Sequence, residues 1–267
     1  MTTGGTILDE IVAHKREELA GVRRAVPEER LREMIGERAV YADFEAAVGK
    51  ANPLGVNLIA EVKKASPSKG VFRADFDPAA IARAYEEGGA DAISVLTDER
   101  YFQGSLADLA QVRRSGVRAP LLRKDFTTST YHVLEAAAHG ADAVLLIAAV
   151  LGREEIEEFA GTARALRLAA VIEVYSEAEL AVALETPCRI IQINNRDLRT
   201  FEVDLGVTRR LAPKIPGDRV IISASGFDSA ETVRAARDAG AHAVLVGESL
   251  VRAADAGAKL RSLRAEG

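Results

Sequence analysis

One short phrase recurs three times in this 267-residue chain. Gly-Ala-Asp-Ala or Gly-Ala-His-Ala begins at Gly89, Gly140 and Gly240, and a short apolar run follows each copy at once. A helical stretch precedes each copy, so that a helix ends, a glycine terminates it and a buried strand begins. The copies are 51 and 100 residues apart, which indicates two and then four units of roughly 25 residues each.

Five further apolar runs fill the gaps between these copies. Together the runs predict eight strands, which start near residues 57, 92, 120, 143, 169, 189, 219 and 243. The starts are about 27 residues apart on average, which is the length of one strand with its helix. Continuous apolar strands that alternate with helices are typical of a parallel sheet covered on both faces. The sequence therefore predicts an α/β fold, a (β/α)8 TIM barrel, rather than an open doubly wound sheet.

The length of the chain suits one such barrel, since barrels of roughly 250 residues are single domains. We interpret residues 1–267 as one domain in which residues 1–50 form an N-terminal helical extension. Thr6 and Asp9 fit a capping box at the start of a first helix, and Pro27 fits the first residue of a second. We expect these helices to cover one barrel end, either as a plain cap or as a lid over the site.

Composition narrows the class of protein. Lys and Arg total 35 against 40 Asp and Glu, whereas a nucleic-acid-binding surface normally needs a basic excess. The single cysteine, Cys188, excludes an internal disulfide framework and a cysteine metal cluster. Met1 to Glu10 holds no apolar signal core, and the longest apolar run is too short for a membrane helix. We therefore expect a cytoplasmic protein that binds neither nucleic acid nor membrane. We also expect a monomer, although nothing in the composition determines the oligomeric state.

Polar side chains gather at the carboxyl ends of the predicted strands, where barrel enzymes carry their catalytic groups. They are Glu61 and Lys63 after the first strand, Lys124 after the third, Glu173 in the fifth, and Asn194 and Arg196 after the sixth. A single charged residue at a strand end is usually solvated or ion-paired. Two lysines, two glutamates and an asparagine at one end instead predict a site with acid and base groups.

The loops after the seventh and eighth strands predict a phosphate site. In many barrels these loops bind phosphate, and here they contain Ser225-Gly226 and Gly247. The glycines let backbone amides approach an anion. The neighbouring Glu248 suits a phosphate only if its side chain points away from it.

Two other features lie near the same barrel mouth. The basic first loop, residues 63–70, is either a solvated turn or a mobile lid that grips an anion. Phe102 after the second strand and Phe126 after the third are either core residues or the walls of a site for an aromatic ring.

These segments resemble a known family. Residues 61–70, Glu-Val-Lys-Lys-Ala-Ser-Pro-Ser-Lys-Gly, are similar to the signature of indole-3-glycerol phosphate synthases. The resemblance continues through residues 101–105 (Tyr-Phe-Gln-Gly-Ser), 122–126 (Leu-Arg-Lys-Asp-Phe), 193–198 (Ile-Asn-Asn-Arg-Asp-Leu) and the Ser225-Gly226 turn. It covers essentially the whole chain, and the first-loop motif and Asn-Asn-Arg-Asp-Leu are its most specific parts.

The resemblance implies a phosphorylated small-molecule substrate, 1-(2-carboxyphenylamino)-1-deoxyribulose 5-phosphate. Ring closure, decarboxylation and dehydration would convert it to indole-3-glycerol phosphate with no metal and no cofactor. Lys124 is implied as general acid and Glu173 as general base, while Lys63 is implied to bind a substrate anion. The division of the acid role between the two lysines stays open. Glu61 and Asn194 are implied to orient the substrate hydroxyls and the lysines.

The remaining implied residues bind the substrate. They are Arg196, Ser66, Phe102, Phe126, Leu145, Ile147, Ser225, Gly226, Gly247 and Glu248. Of these, Ser225, Gly226 and Gly247 are implied to hold the phosphate, and the two phenylalanines with Leu145 and Ile147 to line the pocket for the ring.

The chain departs from the family pattern in one place that matters: Ala224 stands where a glutamate is usual. Gln192, where glycine is frequent, and Glu248 beside Gly247 are two further differences. None of the three removes the implied acid or base, so we predict an active enzyme. Two alternatives remain: a class I aldolase with Lys124 as Schiff-base nucleophile, and a protein that binds phosphorylated ligands without turnover because of Ala224.

Overall fold

The computed structural model describes residues 5–53, 55–67, 69–73 and 75–264, so Ser68 of the first-loop motif lies outside the described residues. The elements, in chain order, are α1 (Ile7–Ala25), α2 (Glu28–Gly36), α3 (Phe44–Gly49), β1 (Asn57–Val62), β2 (Ala65–Ser66), β3 (Gly70–Val71), α4 (Pro78–Glu87), β4 (Ala92–Leu96), α5 (Leu106–Arg114), β5 (Leu121–Lys124), α6 (Thr130–Ala138), β6 (Ala143–Ile147), α7 (Arg153–Ala165), β7 (Ala169–Val174), α8 (Glu177–Leu184), β8 (Ile190–Asn194), α9 (Gly206–Leu211), a 3₁₀ turn (Ala212–Lys214), β9 (Val220–Ala224), α10 (Ala230–Asp238), β10 (Ala243–Val246), α11 (Glu248–Val251) and α12 (Ala256–Arg264).

Eight strands form a closed parallel barrel in the order β1-β10-β9-β8-β7-β6-β5-β4, with β4 pairing again with β1. The predicted (β/α)8 barrel with an N-terminal helical extension is therefore confirmed. Each predicted strand start falls within one residue of the observed start. The short antiparallel hairpin of β2 and β3, inside the basic first loop, was not predicted.

The recurring phrase has a structural reason. Its glycine adopts a positive φ of 93°, 94° or 104°, which L side chains rarely adopt, and so ends the preceding helix. The third residue of the phrase, an aspartate or a histidine, then accepts a hydrogen bond through its side chain from a backbone N–H near the start of the preceding barrel strand. The pairs are Leu58 with Asp91 (2.9 Å), Leu121 with Asp142 (2.9 Å) and Ile221 with His242 (3.1 Å). Each copy therefore ends a helix and fixes two neighbouring strands.

The N-terminal extension covers both ends of the barrel rather than one. The predicted capping box of Thr6 and Asp9 begins α1, whereas Pro27 precedes α2 as its N-cap instead of opening it. The third helix, α3, closes the amino end, where the backbone carbonyl of Val48 accepts a hydrogen bond from Asn57 at the start of β1 (3.0 Å). Helix α1 lies at the opposite end, where Lys15 reaches the residues that follow β4 and β5.

Alternate strand residues fill the barrel interior, and the residues between them pack against the surrounding helices. Leu122, Leu145, Val171 and Ile222 belong to the inner cluster and are at most 1% exposed. Because this apolar layer fills the barrel, polar side chains from the strands collect above it at the carboxyl end. None of the helices in the described parts of the chain has both the length and the apolar character needed to span a bilayer.

Candidate active site

A cavity of about 660 Å³ opens at the carboxyl end of the barrel. Twelve of the fifteen residues predicted for the site contribute to its wall: Glu61, Lys63, Ser66, Phe102, Lys124, Glu173, Asn194, Arg196, Ser225, Gly226, Gly247 and Glu248. They come from seven of the eight barrel strands or from the loops that follow those strands, β6 being the exception. Side chains alternate along each strand, and this alternation can be read from the sequence. It brings the predicted acid, base and anion-binding groups together at the carboxyl end of the barrel.

The predicted acid and base lie side by side in the wall of this cavity. Nζ of Lys124, at the end of β5, lies 3.4 Å from Oε2 of Glu173, near the end of β7. Glu173 is 3% exposed, and the side chain of Lys124 is 18% exposed. A buried carboxylate is costly without partners, and Glu173 obtains one of them from this ammonium group.

Two amides on β8 complete the surroundings of Glu173. Asn194 donates from Nδ2 to Oε1 (3.1 Å), and Gln192 donates from Nε2 to Oε2. Both oxygens of the carboxylate are therefore bonded by neutral donors. Register places Gln192 directly beside Glu173 on the neighbouring strand. Sequence reasoning noted Gln192 only as a departure from the family pattern and did not assign it to the site.

Glu61 and Lys63 share the inner face of β1 and its extension, as predicted. Nζ of Lys63 lies 2.6 Å from Oε2 of Glu61. Gly247, at the end of β10, packs against this pair so closely that an added Cβ would overlap the Glu61 carboxylate and lie 3.0 Å from Nζ of Lys63. The absence of a side chain at Gly247 thus makes room for the Glu61–Lys63 pair.

The turn after β9 is tied to the same network. Ser225 and Gly226 both have positive φ values, 72° and 91°, and a Cβ at Gly226 would lie 2.8 Å from Cγ1 of Val203. The Ser225 hydroxyl donates to Oδ1 of Asn194 (2.9 Å), whose amide nitrogen bonds Glu173. Asn194 therefore connects the predicted phosphate loop to the predicted base.

Glu248 does not stand alone beside the predicted phosphate loop. Nε of Arg252, one turn further along, donates to its Oε1 (3.1 Å), which partly offsets the carboxylate charge. The guanidinium of Arg252 also lies 5.0 Å from the centre of the Phe72 ring. Arg252 and Phe72 line the cavity, and sequence reasoning missed both.

The loops around the mouth hold one another in place. Arg196 donates from Nη1 to the carbonyl of Phe201 (2.9 Å), so its guanidinium braces its own loop. The first loop forms the β2–β3 hairpin, which carries Ser66, and its Ala65 N–H donates to the carbonyl of Phe102 (3.2 Å). The basic loop is thus joined to the loop after β4.

Three predicted residues lie beside or beneath the main cavity rather than in its wall. Phe126 packs behind Phe102, with ring centres 6.2 Å apart. Leu145 is buried in the layer below, at 1% exposed. Ile147 lines a neighbouring cavity of about 140 Å³, together with Leu8 of α1. Both cavities have Glu173, Asn194, Arg196 and Leu198 in their walls.

A buried ionic network of Lys15, Asp98, Arg123 and Asp125 lies beneath Lys124 and was not predicted from the sequence. Nζ of Lys15, in α1, lies 3.2 Å from Oδ2 of Asp98 and 3.2 Å from Oδ1 of Asp125. Burial lowers the pKa of Lys15, but these two carboxylates outweigh it and raise the pKa overall. Asp98 also accepts hydrogen bonds from the backbone N–H groups of Tyr101 (2.7 Å) and Phe102 (3.2 Å).

The same network fixes the residue that follows Lys124. Burial alone would raise the pKa of Asp125, but Arg123 and then Lys15 outweigh it and hold the pKa well below its usual range. The ion pairs of Lys15 with Asp98 and Asp125 connect positions more than 80 residues apart in the chain, and no local motif indicates such a contact.

The arrangement can donate a proton from one side of the cavity and accept one on another. Two ammonium groups, Lys63 and Lys124, and two carboxylates, Glu61 and Glu173, converge in its wall. Within the part of the chain that the structure describes, no group of three or more His, Cys, Asp or Glu side chains is placed to hold a metal ion.

Known proteins share both the sequence and the fold. The family model of indole-3-glycerol phosphate synthase matches residues 8–263. An indole-3-glycerol phosphate synthase of Dehalococcoides mccartyi (strain CBDB1) is 44% identical over 259 residues, which are 96% of this chain and 99% of that protein. One from Rhodopirellula baltica is 48% identical over 250 residues, 94% of this chain and 95% of that protein.

Solved structures at low sequence identity show the same fold. A 3-hexulose-6-phosphate synthase aligns with a TM-score of 0.62 at 16% identity, over 78% of this chain and 98% of that one. The N-acetylmannosamine-6-phosphate 2-epimerase of Clostridium perfringens aligns with a TM-score of 0.59 at 16% identity, over 80% and 93%. These structures support the barrel alone, whereas the sequence matches show the family. The chain belongs to the indole-3-glycerol phosphate synthase family.

Proposed function

We propose that this chain converts 1-(2-carboxyphenylamino)-1-deoxyribulose 5-phosphate to indole-3-glycerol phosphate in the main cavity. The observation that carries the proposal is the placement of Lys124 and Glu173, 3.4 Å apart, in the cavity wall. The reaction must add protons to an oxygen and remove one from a carbon, which needs an acid and a base within reach of one substrate. Membership of the family supports the same reaction.

Lys124 acts first, in ring closure. The ring carbon that carries the carboxylate forms a bond to the ketone carbon, and the ring nitrogen becomes an iminium. Negative charge develops on the ketone oxygen, which takes a proton from the Lys124 ammonium to become a hydroxyl. The carboxylate then leaves as carbon dioxide, and its bonding electron pair restores the aromatic ring.

Glu173 acts in the dehydration. Its carboxylate accepts a proton from the carbon next to the ring nitrogen, while the hydroxyl leaves as water with a second proton from an ammonium group. Lys124 after reprotonation, or Lys63, supplies that proton. One proton is consumed overall, because an anionic carboxylate departs as neutral carbon dioxide.

The binding roles follow from position in the cavity. Lys63, held by Glu61 at 2.6 Å, offers a fixed positive charge to a substrate anion. The glycine-containing loops after β9 and β10 hold the phosphate through Ser225, Gly226 and Gly247. Arg252 neutralises Glu248 beside them.

A second group of residues surrounds the rest of the substrate. Phe102 forms the wall for the aromatic ring with Phe126 behind it. Leu145 supports this wall from the layer below, and Ile147 from the smaller cavity. The remaining predicted contacts, Ser66 and Arg196, lie in the cavity wall next to the loops that they brace.

The same proposal extends to the state of the protein. We expect residues 1–267 to act as a monomeric domain. Cys188 is a free, buried thiol, which agrees with the cytoplasm as a reducing compartment. Sedimentation of the purified protein at assay concentration checks the monomer.

Product formation tests the proposed function. The wild type is incubated at micromolar concentration with the substrate, and indole fluorescence and released carbon dioxide are followed together. The chain contains no tryptophan, so protein background is low. Equal amounts of both products support the proposal. Neither product, or a borohydride-stable adduct on Lys124 with a sugar phosphate, contradicts it.

A further inference from the structure

Gln192 is a polar side chain in the middle of a buried strand. It points into the barrel between the inward side chains of Ile190 and Asn194 on β8, and its exposed fraction is 0%. A primary amide at this depth is costly unless both of its polar atoms find partners. The contacts of Gln192 therefore indicate what the residue does.

One of the two polar atoms has a partner, and the other has none among the residues that the structure describes. Nε2 donates to Oε2 of Glu173, whereas Oε1 accepts no hydrogen bond there. Turning the amide over would place its carbonyl oxygen against the carboxylate, so the bond to Glu173 fixes its orientation. A buried acceptor without a partner costs folding free energy. The contact with Glu173 is thus the favourable interaction that this side chain makes.

The distance between Lys124 and Glu173 indicates what the contact with Gln192 does. Oε2 of Glu173 is also the oxygen nearest to Lys124, and that distance is 3.4 Å. The other lysine–glutamate pair of the cavity, Lys63 with Glu61, lies at 2.6 Å. Charge-assisted N–H···O bonds are usually about 2.7–2.9 Å long. The Glu173 carboxylate, bonded by amides at both oxygens, remains farther from its ammonium than a close ion pair does.

Neighbouring strands provide no substitute for the amide of Gln192. The inward residues at the corresponding levels of β9 are Ile222, paired with Gln192, and Ala224, paired with Asn194. Both side chains are apolar and lack a hydrogen-bond donor. Asn194 bonds the other carboxylate oxygen and is engaged by Ser225 as well.

We propose that Gln192 is a positioning residue that keeps Glu173 from closing onto Lys124, so that base and acid stay separately available to the substrate. A close ion pair would occupy the carboxylate lone pair that must accept a proton and the ammonium that must donate one. The assignment of acid and base rests on the proposed function. The effect of Gln192 on the Lys124–Glu173 pair does not depend on it.

The variant Gln192→Met tests the proposal, since it keeps the length of the side chain and removes the donor. Modification of Lys124 by an amine-reactive reagent, measured by peptide mass spectrometry without substrate, becomes several-fold slower because the ammonium is more tightly paired. In steady state, kcat falls about tenfold or more, as expected on losing a hydrogen bond to a charged group. KM stays within about twofold, because Gln192 does not line the cavity.

Two controls separate positioning from stability. Ile191, next to Gln192 on β8, faces the helices and is 0% exposed. Ile191→Ala lowers the unfolding midpoint and leaves both the Lys124 modification rate and kcat unchanged. In a Glu173→Gln background no carboxylate remains to close onto Lys124, so adding Gln192→Met does not change the modification rate.

Gln192→Asn is the second variant, because its shorter amide stays polar but cannot reach Glu173. An unchanged Lys124 modification rate in both Gln192 variants overturns the proposal, as does an equal slowing in the Glu173→Gln background. Failure of both variants to fold shows a structural role and overturns it too. If the wild type does not convert the substrate, the proposed function fails, while the modification rates still decide the role of Gln192.

Discussion

Lys124 and Glu173 lie 3.4 Å apart although their strands, β5 and β7, are separated by β6. Barrel curvature and the inward direction of both side chains bring them together. The pair places a positive and a negative group where one substrate can meet both. Substitutions of catalytic, packing and buried ionic residues are therefore expected to change different quantities: turnover, substrate binding or the free energy of unfolding.

Removing the ammonium of Lys124 abolishes most of the turnover. Lys124→Met keeps the shape of the side chain but removes the proton donor, and kcat falls by about 10²- to 10⁴-fold, the usual size of a general acid contribution. Steady-state kinetics measure this loss. Lys50→Met is the control, because Lys50 pairs with Asp91 at the amino end of the barrel. A similar loss in the control would show that any lysine substitution inactivates the protein.

A methyl group at position 247 disturbs the Glu61–Lys63 pair. The added Cβ of Gly247→Ala overlaps the Glu61 carboxylate, so the pair must move, and kcat/KM falls about tenfold or more as the bound geometry is lost. Gly161→Ala is the matched control, since among the described residues no atom beyond its chain neighbours and its own helix backbone lies within 4 Å of the added Cβ. That helical substitution stabilises the protein by about 0.5–1 kcal/mol. Full activity in Gly247→Ala would contradict the close packing.

Loss of the buried ammonium in α1 destabilises the fold. Lys15→Met leaves the carboxylates of Asp98 and Asp125 buried without it, and the free energy of unfolding falls by about 3–5 kcal/mol. Denaturant unfolding measures the change. Lys214→Met removes a surface ion pair with Glu177 instead and costs at most about 1 kcal/mol. Equal effects of the two variants would contradict a buried network.

Stability decreases at acid pH partly through His132. Burial, and then the positive charge of Arg123, lowers the pKa of His132 to about 3. The unfolded state, with a pKa of about 6.5, therefore binds the extra proton first as the pH falls. Between about pH 6.5 and about pH 3 this histidine lowers the free energy of unfolding by up to about 1.4 kcal/mol per pH unit.

Replacing His132 with asparagine removes that pH dependence while leaving an acceptor for the N–H of Thr128, which His132 bonds at 3.2 Å. The slope of unfolding free energy against pH, measured from pH 7 to 4, should be smaller in the variant. Above pH 7 the two proteins should have the same slope. Identical slopes throughout would mean that His132 binds its proton as readily in the folded state as in the unfolded state, which contradicts the lowered pKa.

The sequence predicts the barrel well because its signal is local and repeated. Gly89, Gly140 and Gly240 each adopt a positive φ, and each lies three residues before the start of a strand. The alternation of side chains then assigns residues such as Glu61 and Lys63 to the inner face. These predictions agree with the structure because they depend only on residues that are neighbours in the chain.

Contacts between distant segments were not predictable in the same way. Lys15 reads as an ordinary helix residue, and only the fold brings it to Asp98 and Asp125. In the sequence, Gln192 is only a difference from the family pattern. The register of β7 and β8 is what places it beside Glu173. Helix α3 closes the barrel through packing rather than through a strong sequence pattern, and it was missed.

The ratio of carbon dioxide to indole product in Glu173→Gln tests the central claim most directly. If Lys124 acts in ring closure and Glu173 in dehydration, this variant releases carbon dioxide in one burst per enzyme and forms little indole, while Lys124→Met forms neither. Rapid mixing with parallel detection of both products measures the ratio. Equal loss of both products in Glu173→Gln, or a carbon dioxide burst in Lys124→Met, would contradict the assignment of base and acid.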